Sequence, residues 1–364
     1  MHRSIGIITL GVFILVMWYA AFRLHIHFGT VSFWVYQIVI VAIVFGSFAL
    51  FSISAKYPTP FVKVINILGG YALLFLAYLS ILLVIVQITT LIWSIPVLFA
   101  GQIAVGTAFV ITLTGAVLGS IFIVRETEIT IPKLKNELRI IQISDAHIGL
   151  LYGRKYLAKI VRAANSARPD FIVITGDLTE TKAALKDGIL EPLADFDCPA
   201  FFVEGNHDHY TGIEGVLKII GKQNIRTLHN EVIETHGIQL IGLDYLNPDE
   251  ETVDMMHLSG KKDTVKSALS KMQLNHDMPT ILITHNPTGI NYAEAAGVDL
   301  MIAGHTHRGQ IFPFSIFAKM LFQFFGGLHQ HGNMQIFISG GVGGIVARMR
   351  LGSFNEINLL RLVP

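Results

Sequence analysis

The chain has 364 residues, of which 52% are hydrophobic and only 15% charged, with a formal net charge of +1; soluble proteins carry roughly 25% charged residues. The absence of a basic surplus argues against a nucleic-acid partner. The single cysteine, Cys198, excludes an internal disulfide and fits a reducing compartment.

Charge is unevenly spread. Residues 1–124 contain no Asp or Glu and only Arg3, Arg23, Lys56 and Lys63, whereas the remaining 240 residues carry 23 basic and 26 acidic side chains, a net charge of −3. The first third therefore reads as a membrane anchor and the rest as an ordinary globular domain. At 1.5 Å per residue, about 20 apolar residues cross ~30 Å of hydrocarbon. Spans are expected at about 4–22, 31–54, 66–92 and 99–124, the last two dividing an uncharged run of 61 residues (64–124) near Ser94 and Pro96. The first run is too long, and has too many successors, to be a signal peptide. Four spans place Arg3, Lys56, Lys63, Arg125, Lys133 and Lys135 on one side and only Arg23 on the other, so the positive-inside tendency puts the following domain in the cytoplasm. Five spans would reverse that placement. No ionisable group falls inside the spans, which disfavours a transporter. His25 and His27 are expected in a short solvated loop.

Residues 125–137 read as a linker and 138–364 as the globular domain. Short runs rich in Ile and Val at 139–144, 171–175, 200–204, 238–243, 280–284 and 300–303 read as buried strands. Helical stretches lie between them, for example 154–167 and 261–273, an alternation that argues for an α/β domain.

Polar residues follow these strands in a pattern. Asp145-Ala146-His147 follows the first, Gly176-Asp177 the second, and Gly205-Asn206-His207-Asp208 the third; His285 follows "TILIT", and Gly304-His305-Thr306-His307 follows "LMIA". Taken singly, such residues usually cap helices, shape turns or fill cores. Taken together, they place every metal-competent group at one end of successive strands, where open α/β sheets bind ligands. Asp145, His147, Asp177, Asn206, His285, His305 and His307 offer oxygen and imidazole donors but no thiolate, a set suited to Mn, Fe, Zn, Ni or Co. Seven donors exceed the needs of one tetrahedral ion and suit two ions ~3.5–4 Å apart, with a water between them as nucleophile. Asp177 is the expected bridging carboxylate and Asn206 a neutral oxygen donor. His207 and Asp208 are the catalytic candidates, His207 donating to a phosphoryl or leaving-group oxygen and Asp208 orienting its surroundings. His305 and His307 are expected to point the same way as alternate residues of an extended segment.

The ordered blocks "DAH", "GD", "GNHD", "H" and "GHTH" resemble those of the calcineurin-like metallophosphoesterase superfamily over about residues 138–362. The phrases "DFIVITGDLTE" and "VDLMIAGHTHRGQIFPF" resemble its bacterial membrane-associated branch, which includes enzymes acting on UDP-2,3-diacylglucosamine. The resemblance implies a four-layer αββα sandwich. It also implies one ion held by Asp145, His147, Asp177 and His307, and another by Asp177, Asn206, His285 and His305.

Three features remain. Arg308 stands where related chains often have Gly; its guanidinium is either a phosphate contact or simply solvated, and Arg350 is a further candidate phosphate contact. "SGGVGG" (339–344) is either a backbone nest for phosphate or, preferably, a set of turns packed behind the metals. Residues 311–328 have helical apolar spacing and are either a core helix or an interfacial helix in the headgroup region. The implied function is that of a membrane-anchored two-metal phosphohydrolase acting on a phosphorylated lipid or lipid-linked nucleotide; the alternative is a regulatory or scaffolding membrane protein with a non-catalytic metal domain.

Overall fold

A computed structural model describes residues 2–56, 59–186, 188–246 and 263–364. The chain divides into two compact units, 1–117 and 118–364.

The first unit is helical: α1 (His2–Phe28), α2 (Phe33–Lys56), α3 (Pro60–Ile92) and α4 (Val97–Gly119), which ends just inside the second unit. All four helices are long and apolar enough to cross a membrane. Their large apolar side chains point outward, as at Trp34, Phe61 and Leu91, the reverse of a helix stabilised by a water-soluble core. The entry to α3 is fixed by Thr59, whose hydroxyl accepts from the Val62 amide at 3.3 Å, and by Pro60 in the first turn. His25 and His27 lie in the last turn of α1 rather than in a loop. His27 is buried, with Nδ1 2.7 Å from the Val97 carbonyl oxygen.

The second unit is a mixed α/β domain with two six-stranded sheets. In chain order its elements are β1 (Phe122–Thr130), β2 (Leu138–Ile143), α5 (Arg154–Ser166), β3 (Phe171–Thr175), β4 (Ala200–Val203), α6 (Asn206–Thr211), α7 (Ile213–Ile220), β5 (Ile225–Thr227), β6 (Glu231–Thr235) and β7 (Ile238–Gly242). They continue with α8 (Val265–Leu269), β8 (Thr280–Ile283), α9 (Ile290–Ala295), β9 (Leu300–Ala303), α10 (Phe314–Leu321), β10 (Gly327–His331), β11 (Met334–Ile338) and β12 (Asn355–Val363). One sheet has the order β1-β12-β2-β3-β4-β5 and the other β10-β11-β9-β8-β7-β6.

The two sheets share a core. Ile140, Val173 and Phe201 of the first pack with Leu240, Ile281 and Ile302 of the second, while α8 and α9 cover the other side of the second sheet through Val265, Leu269 and Ala293. Strands buried on both faces explain the continuous apolar runs. In contrast, α5 buries only Leu157, Ile160, Val161 and Ala164, the i, i+3, i+4, i+7 stripe of a one-sided helix.

The expected linker at 125–137 is corrected here: α4 ends at Gly119, and 122–130 form β1, parallel to β12 from Phe122↔Asn355 to Thr130↔Val363. Alternating charged residues in "RETEIT" hid an edge strand whose outer face is exposed. Of the helix expected at 261–273, positions 261–262 lie outside the described residues, and α8 occupies Val265–Leu269.

Candidate metal centre

The central strands of each sheet run parallel: β2, β3 and β4 in one, β8 and β9 in the other. Their carboxyl ends deliver Asp145 and His147, Asp177, Asn206, His285, and His305 and His307. The backbone turns sharply there. Asp145, His147, Asp177, His305 and His307 all adopt positive φ, between 47° and 69°, a region that non-glycine residues seldom occupy. The turns are pinned by backbone hydrogen bonds, including His147 N to Asp177 O (3.0 Å) and Gly304 N to His285 O (2.9 Å). The His305–His307 segment is therefore not extended: Thr306 is α-helical in φ/ψ and both flanking histidines are left-handed. Gly205 and Gly304 permit close approach, since a β-carbon on Gly205 would strike Asp177, and one on Gly304 would strike Ser144 and the Asp145 carboxylate.

The candidates form two adjoining groups, Asp145–His147–His307 and Asp177–His285–His305. In the first, the Nε2 atoms of His147 and His307 are 3.1 Å apart, and His307 Nε2 is 3.5 Å from Asp145 Oδ1. In the second, His285 Nε2 lies 3.1 Å from Asn206 Oδ1, 3.1 Å from His305 Nδ1 and 3.2 Å from Asp177 Oδ2. Asp177 Oδ2 is also 3.8 Å from His147 Nε2, so one oxygen stands between the groups.

This donor set fits divalent ions. His285 Nδ1 donates to the Thr175 carbonyl at 2.9 Å, so in the neutral ring Nε2 carries a lone pair. That lone pair faces two oxygens and another imidazole nitrogen, a repulsive arrangement unless a proton or cation lies among them. Donor atoms sharing an ion at about 2.0–2.2 Å stand roughly 3–3.5 Å apart, the spacing seen. Burial opposes the charge on His285, yet Asp177, by charge and hydrogen bond, holds its pKa up at about 10; burial likewise opposes ionisation of Asp177, yet the His285 charge keeps that carboxyl well below the usual range. Burial pushes Asp145 up and His307 down.

Around the donors, Glu180 Oε2 accepts from His147 Nδ1 at 2.6 Å and from His207 Nδ1 at 2.7 Å. Glu180 thereby turns His147 Nε2 toward the metal-binding groups and orients His207. Burial lowers the His207 pKa, but the Glu180 hydrogen bond and the Asp177 charge outweigh it and raise the value to about 9. Sequence reading missed Glu180; the available signal was an acid three residues after a candidate ligand, Asp177.

Asp208 faces neighbouring turns: Oδ1 accepts from the Thr179 amide and hydroxyl, both at 2.8 Å, and Oδ2 from Gly205 N at 3.0 Å. It is a positioning residue that ties the β4–α6 turn to the β3 turn. Arg350 is not a phosphate contact. It is 1% exposed, and its donors bond Asn355 Oδ1, Ser353 Oγ and the carbonyls of His307, Gly340, Gly341 and Gly343. Arg308 is partly exposed, with Nη2 3.4 Å from Glu356 Oε1. The 339–344 glycines form turns behind the site, Val342 N and Gly343 N donating to the carbonyls of Ser144 and Asp145. A separate group, Glu204, His229 and Asp244, lies apart from these donors, with His209 Nε2 3.0 Å from Glu204 Oε2 and His229 Nδ1 2.9 Å from Asp244 Oδ1.

Residues 138–309 match the family described as calcineurin-like phosphoesterase. The chain is 35% identical over 246 residues to an uncharacterized metallophosphoesterase of Helicobacter pylori, covering 66% of this chain and 64% of that one. It is 33% identical over 243 residues to the transmembrane protein with metallophosphoesterase domain of Bos taurus, covering 64% and 54% respectively. It is 30% identical over 240 residues to the uncharacterized protein YpbG of Bacillus subtilis, covering 63% and 83%. The chain thus spans less than two thirds of the length of the first two relatives. These likenesses reach the superfamily and do not specify the diacylglucosamine branch. Through its C-terminal domain, the chain belongs to the calcineurin-like metallophosphoesterase family.

Proposed function

We propose that the chain is a membrane-anchored two-metal phosphohydrolase, with its catalytic domain on the cytoplasmic side, that cleaves a phosphoester or pyrophosphate bond in a lipid or lipid-linked nucleotide. The observation that carries this reading is the convergence of seven donors, from five strand ends in two sheets, on two groups that share the Asp177 carboxylate. Divalent ions held there, of Mn, Fe, Zn, Ni or Co type, would supply an activated water and positive charge for the phosphoryl oxygens. Asp145, His147 and His307 would hold one ion, Asn206, His285 and His305 the other, and Asp177 both. His207, with Nδ1 engaged by Glu180, has Nε2 left to donate to a phosphoryl or leaving-group oxygen. Arg308, one residue beyond His307, is the proposed further phosphate contact. The four spans and the transmembrane bovine relative support a membrane-held substrate class.

The test is elemental analysis of the purified full chain beside its Asp177→Asn variant, with turnover of a phosphodiester and of lipid phosphates under each metal. Two ions per chain are expected. The variant should lose bound metal and more activity than the roughly 10–100-fold typical of removing an outer partner. A protein holding no divalent ion, or a variant with undiminished turnover, overturns the reading in favour of a scaffold.

A further inference from the structure

The helix next to the metal-binding segment is packed inside out. In α10 the small residues face the protein: a β-carbon on Gly309 would meet Ser315 and, at 3.2 Å, Ala318. The large apolar residues face away, with Ile316 49%, Phe317 64%, Met320 78% and Leu321 57% exposed. No residue of the helix is buried, so the core-helix alternative for 311–328 does not hold. A helix whose large apolar side chains meet water would be destabilised by its own composition. Something apolar must cover it.

We propose that this outer face of α10 lies in the headgroup layer of the bilayer that the four spans cross. The inference rests on the membrane-anchored reading above and extends it to the mouth of the site. Its first support is continuity with the end of the last span. Gly119, the final residue of α4, accepts from Asn355 Nδ2 at 2.9 Å. It lies so close to the Arg348 backbone that a β-carbon there would clash. The same 345–355 loop joins the root of α10: Leu351 bridges Ile311, its carbonyl accepts from Phe312 N at 2.8 Å, and Gln310 Nε2 donates to Ile345 O at 3.0 Å. One loop thus connects the point where the chain leaves the span to the start of the exposed helix, and Val346 on that loop is exposed as well.

Charge gives a second support. Residues 311–328 contain no acid, and Lys319 is exposed between Phe317 and Met320, as suits an interfacial helix above anionic headgroups. A partner of this chemistry, apolar below and anionic at its surface, is a lipid bilayer rather than a second copy of the chain. The metal-binding segment is joined to both ends of the helix. The 307–309 turn packs under it, while beyond its last residue the Phe322 ring lies 5.9 Å edge-on from His305 and Thr306 Oγ1 donates to Phe325 O at 2.8 Å. A docked α10 would hold the metal centre beside the headgroups, where a lipid phosphate is presented.

The test needs no turnover, so its outcome is separate from whether the site hydrolyses phosphate esters. In the full chain with Cys198→Ala, a cysteine at Met320→Cys, and in a second protein at Phe317→Cys, is labelled with an environment-sensitive fluorophore. Each protein is placed in nanodiscs containing anionic lipid, with or without a nitroxide near the top of the acyl chain. Lys222→Cys is the control, exposed after α7 and next to β5, the sheet edge opposite β1. Blue-shifted emission that the lipid nitroxide quenches at 320 and 317, but not at 222, is expected. Emission at both positions that matches 222 and is not quenched overturns the proposal. So does a blue shift that grows with protein concentration and resists the lipid nitroxide, since a second copy would then cover the face.

Discussion

Glu180 supplies the most informative perturbation. A single oxygen, Oε2, accepts from two imidazoles, His147 at 2.6 Å and His207 at 2.7 Å. Burial would raise this carboxyl's pKa, but the charge of His147 and the two hydrogen bonds hold it below the ordinary value. Glu180→Gln preserves shape and leaves one acceptor oxygen, which can take the place of Oε2. Both imidazoles then keep an acceptor but lose its negative charge. A hydrogen bond to a charged group contributes about 1.5–3 kcal/mol against about 0.5–1.5 for a neutral one, so two bonds together lose about 2 kcal/mol; 1.4 kcal/mol is tenfold, and a loss of roughly 10- to 100-fold is expected, the range seen when residues that orient metal ligands are removed.

The route of the loss is measurable in Glu180→Gln. If it runs through His147, calorimetric titration of the apoprotein shows weaker metal binding. If it runs through His207, kcat on a soluble phosphodiester falls at saturating metal, and Glu180→Gln/His207→Ala is no worse than His207→Ala alone. Turnover and metal affinity both within twofold of the parent protein would refute the assignment.

Two further outcomes follow from burial. Arg350→Met would strand the carbonyls of His307, Gly340, Gly341 and Gly343 and should cost about 3–5 kcal/mol. That corresponds to a fall on the order of 10 °C in the thermal midpoint of the purified chain; a raised KM in Arg350→Lys with an unchanged midpoint would restore the phosphate-contact role. Burial and the charges of Asp197 and Asp170 push the Cys198 thiol up to about 11 from an ordinary 9.0. Its thiolate fraction at pH 8 should then be roughly a hundredfold lower than that of a free thiol. Alkylation by iodoacetamide should be slower by that factor in the native protein than in urea, and equal rates would contradict the assigned environment.

The sequence by itself determined the division into an apolar, acid-free third and a charged remainder, because burial in lipid and burial in a water-soluble core demand different compositions. It also determined the central strands and the donors that follow them, since Ile/Val runs ending in Asp, Asn or His are local patterns. It did not reveal β1 or β12, which pair with each other across more than 200 residues; the charged alternation of β1 reads locally as a solvated linker. Only the tertiary structure decided which charged groups gather at the candidate metal centre and which face the backbone. Asp208 and Arg350 look like chemistry in sequence, but folding satisfies their charges on amides and carbonyls of distant turns. Glu180 looks like a loop acid until two imidazoles from separate strand ends close on it. The direction in which α10 presents its phenylalanines was equally hidden, because a helical stripe specifies that one face is apolar, and only packing against Gly309 determines that this face is turned outward.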